Sequence, residues 1–296
     1  MLKFPTVVDN SMRETFVACP QRFLRSYIQN LTLPAISVHL HAGAAYAKGL
    51  EIARKSFYEL GNDEDTALVD GCKALILAYG DFVCPDSSPK TAERMVGALE
   101  YYISKHPLKD DYIKPFMSGG KAALEFTFAI ELPIAHPETG EPIIYAGRFD
   151  MLALYHNDML VVYDDKTASQ LGSSWSNKWH INSQFSGYSW AAKQYGFDVQ
   201  AVVVRGVSIL KTQYGGAEVI TYRPQWMLDR WYEQLLTEIK SMIAMYQANR
   251  FPLSQADACS SYGGCMYRDL CDKQDPETWV ATQFITREYN PLWETD

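Results

Sequence analysis

The sequence predicts an α/β fold: a mixed central sheet flanked by helices, with a helical N-terminal region and a cysteine-rich C-terminal tail. Three observations carry that prediction. Residues 11–120 space their apolar side chains near the helical period. From about residue 122 the texture switches to the alternation of strands separated by turn-forming residues. A helical stretch then falls between two further strands, which is the element order of an α/β core.

Each element follows from local chemistry. Ser11-Met12-Arg13-Glu14 fits a capping box, with Ser11 as N-cap and Glu14 reaching back. Pro20 permits only a helix restart, with Cys19 just before it. Apolar spacing predicts helices over 42–60, 64–80 and 90–105. LEFTFAIEL, from Leu124, alternates as a strand, and HPETGEP makes a turn. IIYAGRFDMLALY is a second strand, HND a tight turn and MLVVYDDKT a third strand. Residues 180–196 return to helical spacing, AVVVRGVSIL is a strand, and 225–249 forms a long amphipathic helix. No internal repeat or low-complexity tract separates these elements. The chain therefore reads as one domain, 1–296, made of a helical region 1–120, an α/β core 121–250 and a tail 251–296.

Composition narrows the function classes. The 296 residues are 47% hydrophobic and 21% charged, ordinary for a protein with a buried core. The 19 Tyr, 13 Phe and 7 Trp require burial and exclude intrinsic disorder. No apolar run approaches the roughly 20 residues of a membrane span. The opening MLKFPTVVDNSMRETF carries acids where a secretory signal is apolar. The expected setting is the cytoplasm, a phage gene in a bacterial host being one source. A net charge of −8 argues against non-specific coating of nucleic acid, while leaving room for a local basic groove.

The informative stretch is Gly147-Arg148-Phe149-Asp150 followed by Tyr163-Asp164-Asp165-Lys166-Thr167. Both segments sit on apolar strands joined by a short turn, so Asp150 and Asp164 come side by side across a hairpin. A carboxylate on an apolar strand is costly unless compensated, and a divalent cation compensates it directly. Hard oxygen ligands of this kind suit Mg²⁺ or Mn²⁺. Alternation puts Asp164 and Lys166 on one face and Asp165 on the other. A lysine there can orient a water or stabilise charge on a phosphate. The competing reading is a hairpin whose Asp and Lys are simply solvated. Downstream, Gln184 and Tyr188 stand at i and i+4 on one helical face.

G-x-x-D, then D-x-K, then Q-x-x-x-Y resembles the RecB-type branch of the PD-(D/E)xK nuclease superfamily. The resemblance covers residues 120–210 by motif and the whole chain more loosely. It implies a restriction-endonuclease-like core, with Asp150, Asp164 and the main-chain carbonyl of Asp165 holding metal. It also implies Lys166 as the catalytic lysine, with Gln184 and Tyr188 orienting substrate or that lysine. The family tends to carry Gly-x-x-x-His on an early helix, with the histidine as a metal ligand. Here Gly43-Ala44-Ala45-Tyr46-Ala47 puts alanine in its place. Glu51, one turn beyond Ala47 on the same face, is the favoured substitute; His41 is the other. A solvated Glu51 paired with Lys48 or Lys55 is the plainer alternative. Glu125 resembles another acidic position of the family, and holding the first strand against a neighbouring basic residue is the structural role open to it.

Six cysteines stand at 19, 72, 84, 259, 265 and 271. Cys72 and Cys84 lie on apolar-looking helical stretches and read as inert core residues. Cys259, Cys265 and Cys271 follow C-x5-C-x5-C in the tail, with Cys19 near the other end. Four intracellular thiolates suggest zinc by default. The spacing is not the paired one of a zinc ribbon, however, and an all-sulfur set suits an iron–sulfur cluster. One early and three late cysteines also resemble the cluster staple of the CRISPR-associated adaptation nuclease and of the AddAB helicase-nuclease. That implies a [4Fe–4S] cluster on Cys19, Cys259, Cys265 and Cys271, with the longer first gap as a departure. Zinc and ordinary buried thiols stay open. Such a staple would close a loop of about 240 residues.

Basic and aromatic residues suited to DNA are scattered: Lys3, Arg22, Arg25, Lys90, Arg94, Lys121, Arg148, Lys178, Trp175 and Trp179. The two tryptophans follow the D-x-K strand and suit base stacking, or equally core packing. No Walker-type motif is present, so no helicase motor is fused here. The expectation is a metal-dependent DNA exonuclease stabilised by an iron–sulfur cluster, acting on single- or double-stranded DNA. A protein partner in recombination, repair or CRISPR adaptation is implied by the resemblance. The alternatives are a non-catalytic binding subunit on the same fold and a zinc-stapled protein of unrelated function.

Overall fold

The computed structural model describes residues 3–35, 37–255, 257–260 and 264–293. The parts of the predicted tail at 256, 261–263 and 294–296 lie outside the described residues. In chain order the strands are β1 (Val7–Val8), β2 (Leu31–Thr32), β3 (Ile113–Pro115), β4 (Met117–Ser118), β5 (Lys121–Ala122), β6 (Leu124–Ala135), β7 (Pro142–Tyr155), β8 (Met159–Ala168), β9 (Ala201–Ile209), β10 (Tyr214–Tyr222) and β11 (Ile285–Thr286). The helices are α1 (Asn10–Ala18), α2 (Pro20–Phe23), α3 (Val38–Tyr58), α4 (Glu64–Tyr79), α5 (Ala92–Lys105), α6 (Ser173–Asn177), α7 (Ser183–Gln194), α8 (Gln225–Gln247), α9 (Arg268–Cys271) and α10 (Glu277–Gln283), with a π-helical turn at Leu24–Ile28. This is the mixed α/β architecture read from the sequence.

The chain divides into two compact units, residues 1–35, 127–147 and 229–296 in one, 36–126 and 148–228 in the other. In the second unit β8 runs parallel to β9, from Val161↔Ala201 to Ala168↔Ser208. The outer half of β7 pairs antiparallel with β8 and the short β3 pairs with β7. Strand β10 pairs antiparallel with β9 along its whole length. Every residue of β9 is buried, as expected of a strand covered on both faces. Val207 and Ile209 join Tyr46 and Leu50 of α3, Leu75 of α4 and Leu99 of α5 in one apolar core. On the opposite face Gly206 lies under Trp175, where a Cβ would stand 2.4 Å from the indole.

In the first unit β1 pairs parallel with the inner half of β7, at Val7↔Ile144. Phe4, Phe16, Phe23 and Phe251 pack their rings together, and Arg13 forms a buried ion pair with Glu238. β11 pairs with β2, and Tyr267 stacks on Phe284 while donating its hydroxyl hydrogen to the Leu31 carbonyl.

Several local expectations change. The first helix is capped by Asp9, whose carboxylate accepts from the Met12 N–H at 2.8 Å, so Ser11 is inside the helix rather than its cap. Asp9 is itself an N-cap residue and lies two positions earlier, which the capping-box pattern at Ser11 obscured. The restart at Pro20 stands as expected, with Cys19 extended between α1 and α2. Cys84 lies in a loop rather than a helix, facing the carbonyls of Pro85 and Ser88.

Candidate active site

The β7–β8 hairpin turns at His156 and Asn157, both with positive φ (51° and 69°), a conformation Asn tolerates and a tight hairpin requires. The turn fixes the register, Tyr155↔Met159 through Met151↔Tyr163, and Asp150 and Asp164 are the residues just beyond the last pair. Asp164 is fully buried. Its Oδ2 meets Lys166 Nζ at 2.5 Å. The Asp165 N–H donates to Asp150 Oδ2 at 2.7 Å. Alternation thus puts Asp164 and Lys166 together and turns Asp165 away, as the pleat demands.

Charge crowding marks this place. Burial lifts the Asp150 carboxyl to about 7, with the charge of Asp164 adding to the rise. Burial raises Asp164 as well, and Lys166 opposes that shift. Glu125, held in the left-handed region at φ 49°, is lifted to about 7 by burial and then by the charge of Asp150. It pairs with Arg148 Nε at 2.9 Å. Oxygen-rich acids that repel one another suit a hard divalent cation. Among the described residues no three His, Cys, Asp or Glu side chains stand in an arrangement that would hold an ion. Lys166 takes Asp164 instead, Arg148 takes Glu125, and Asp150 accepts from the Asp165 N–H.

The helix-borne candidates separate clearly. Glu51 sits between Lys48 at 2.9 Å and Lys55 at 2.5 Å. Burial would raise its pKa, but hydrogen bonds from Lys55 and Lys48 outweigh it and leave the carboxyl lowered. Its charge adds to the rise at Glu125. His41 points elsewhere. Its Nε2 meets the Tyr79 carbonyl oxygen at 2.8 Å and its ring stacks on Phe82.

Helix α7 follows the D-x-K strand. Gln184 Nε2 donates to the Tyr188 hydroxyl at 2.8 Å, one turn apart on one face. Tyr188 also packs against Phe149, and Phe185 lies 5.9 Å from Lys166 Nζ, so the helix borders the lysine. Trp175 and Trp179 are both buried and pack on each other, which makes them core rather than exposed stacking platforms. Lys178 lies over the Trp179 ring, and burial, then the charge of Lys166, lowers its pKa.

Three basic residues take structural partners: Lys90 donates to Thr167, Arg94 to the carbonyls of Leu210 and Gln213, and Arg148 pairs with Glu125. The sequence reading passed over Arg54, whose buried guanidinium pairs with Asp165 at 2.7 Å. A single charged residue among the mostly apolar buried positions of α3 was the available signal.

The four cysteines fall in the other unit. Cys19 is buried between α1 and α2, Cys259 ends a 3₁₀ turn, and Cys271 ends α9. The Cys265 N–H donates to the Cys259 carbonyl at 3.1 Å. Burial raises the Cys271 thiol, Arg25 lowers it, and Cys265 and Cys19 are close enough to raise it further. The two ends of the chain meet in this unit through Ser26 and Tyr267, whose hydroxyls lie 3.0 Å apart, and through the β2–β11 pairing.

Among the described residues no helix is long and apolar enough to cross a membrane. No curated protein matches the chain in sequence. Of solved structures, the crystal structure of SSO0001 is similar at 14% identity, with 66% of this chain and 73% of that one covered and a TM-score of 0.29, too low to carry an argument. The family model of the PD-(D/E)XK nuclease superfamily matches residues 11–272, spanning the hairpin, the helix of Gln184 and the tail cysteines, and the chain belongs to that superfamily.

Proposed function

We propose that this protein is a metal-dependent DNA exonuclease. One observation carries the reading: a crowded carboxylate pair, the half-buried Asp150 and the buried Asp164, with a lysine ion-paired to the second member. Asp150, Asp164, the main-chain carbonyl of Asp165 and Glu51 are the residues that would hold Mg²⁺ or Mn²⁺. The buried Asp164 Oδ2 lacks a well-aligned hydrogen bond, and three neighbouring acids are lifted above the ordinary carboxylate range, so a cation would relieve the site. When bound, the ion supplies charge neutralisation on the phosphate and acidifies water.

The chain's own groups do the rest. Lys166 exchanges its contact with Asp164 for a hydrogen bond to the attacking water or a phosphate oxygen. It keeps its proton throughout and opposes the charge that grows as the P–O bond to the leaving sugar breaks. Gln184 and Tyr188 orient the substrate beside it. Glu125, paired with Arg148, keeps the neighbouring strand in place.

We also propose that Cys19, Cys259, Cys265 and Cys271 hold a [4Fe–4S] cluster. The placement of all four cysteines in one compact unit, with the Cys265 N–H bonded to the Cys259 carbonyl, supports that reading.

The test is digestion of end-labelled single- and double-stranded DNA with Mn²⁺ or Mg²⁺ under anaerobic conditions. Release of the terminal nucleotide before internal fragments supports an exonuclease. Internal cuts first would replace that reading with an endonuclease, and intact DNA would leave a binding subunit.

A further inference from the structure

We propose that Arg54 is a positioning residue that locks the helix carrying Glu51 to the strand carrying Asp164 and Lys166, through its buried pair with Asp165. The inference rests on the reading of the carboxylate site just given.

Both partners are almost fully enclosed, with side chains 5% and 4% exposed, and the guanidinium meets Asp165 Oδ2 at 2.7 Å. The other carboxylate oxygen accepts from the Tyr163 hydroxyl at 2.7 Å. Arg54 also donates to the Tyr102 hydroxyl at 2.9 Å, and Tyr102 and Tyr163 share a hydrogen bond of 2.6 Å. One Asp165 oxygen is thus held by a hydrogen bond and the other by the ion pair. The backbone N–H of the same residue holds Asp150 Oδ2 at 2.7 Å.

Asp165 is therefore a junction. Its side chain receives α3, its N–H receives the first carboxylate, and its neighbours in sequence are the second carboxylate and the lysine. Arg54 follows Glu51 by three positions on α3, within one helical turn, so the pair also sets where Glu51 stands. A buried ion pair gives little net stability, and what this one adds is fixed geometry, because the single nitrogen Nη2 meets Asp165 and donates to the Tyr102 and Tyr163 hydroxyls. Arg205 is the comparison. It is equally buried, is held by Asp111 at 2.5 and 2.8 Å and by Glu218 at 2.8 Å, and hydrogen-bonds to the network of Arg54 only through the Tyr102 hydroxyl, at 3.3 Å, with no hydrogen bond to Asp165.

Charge and geometry make opposite demands. By charge alone, removing a cation near the site strengthens Mn²⁺ binding. By positioning, it weakens it. The experiment is Mn²⁺ titration of the metal-free full chain by electron paramagnetic resonance, with circular dichroism confirming the fold. Arg54→Met is expected to bind about tenfold more weakly or worse, as for other groups that orient metal ligands. Arg54→Lys, which keeps the charge but replaces the planar guanidinium with a compact ammonium on a flexible stem, is expected to bind about threefold more weakly. Arg205→Lys should melt earlier yet bind Mn²⁺ within about twofold of the wild type.

Should Arg54→Met fail to fold, Arg54→Lys decides. Unchanged or tighter Mn²⁺ binding in a folded Arg54 variant overturns the inference. A wild-type chain that takes up no Mn²⁺ overturns the reading of the site itself, and this inference with it.

Discussion

Replacing Asp150 with asparagine should make the metal-free protein more stable at pH 8. Asp150 Oδ2 accepts one hydrogen bond, from the Asp165 N–H, and an asparagine oxygen can accept the same bond. What the substitution removes is a charge that burial and Asp164 oppose. That opposition lifts the carboxyl from 3.8 to about 7. Between those pH values the unfolded chain has released the proton and the folded chain has kept it. Stability therefore falls as pH rises through this window and levels off above about 7. Each tenfold change in proton affinity is worth about 1.4 kcal/mol. Discounted for the part of Asp150 that water reaches, the penalty is about 2 kcal/mol. That corresponds to a gain of about 5 °C in Tm for Asp150→Asn at pH 8, beyond any difference seen at pH 4. Calorimetry in chelator at the two pH values measures it. Added Mn²⁺ should reverse the order, because only the wild type keeps the ligand. Curves that shift equally at pH 4 and pH 8 would refute the claim that Asp150 is held against ionisation.

Other substitutions separate the remaining assignments. Glu51→Ala should weaken Mn²⁺ binding about tenfold or more while His41→Ala leaves it intact, since His41 is engaged by Tyr79 and Phe82; calorimetric titration in which His41→Ala weakens binding and Glu51→Ala does not would reverse the choice of ligand. Cys265→Ser should remove a broad absorbance near about 400 nm and lower the Tm, because metal binding is coupled to folding; a colourless, iron-free wild type prepared without air would remove the cluster. Gly206→Ala should cost roughly 1–3 kcal/mol in urea unfolding, since its Cβ would meet Trp175 at 2.4 Å and Leu171 at 2.6 Å, and an unchanged midpoint would show that the indole moves aside.

The hairpin was legible because its signals are local. Alternation marked both strands, the His-Asn-Asp turn fixed their register, and the pleat then dictated which side Asp164, Asp165 and Lys166 face. The Gln184–Tyr188 pair was legible for the same reason, as helical spacing alone puts the two side chains together. Strand β10 was not. Its Tyr-Gly-Gly-Ala opening carries no alternation, and it is a strand because β9 offers it a full ladder. Arg54 escaped notice because its partners Tyr102, Tyr163 and Asp165 come from segments far apart in sequence. Trp175 and Trp179 could be placed only once Gly206 opened a recess beneath the first of them. Non-local packing decides such positions, and periodicity does not record it.

The central claim is that Lys166 and the carboxylate pair break phosphodiester bonds. Single-turnover cleavage of end-labelled DNA, comparing the wild type with Lys166→Ala at saturating Mn²⁺, tests it most directly. Lys166 carries the cation that meets Asp164 at 2.5 Å, and its loss removes electrostatic stabilisation without removing an oxygen ligand. The account predicts a rate lower by about 10²-fold or more, with Mn²⁺ and DNA affinity retained. Cleavage by Lys166→Ala at the wild-type rate, or a wild type that binds DNA and Mn²⁺ without cutting, would contradict it.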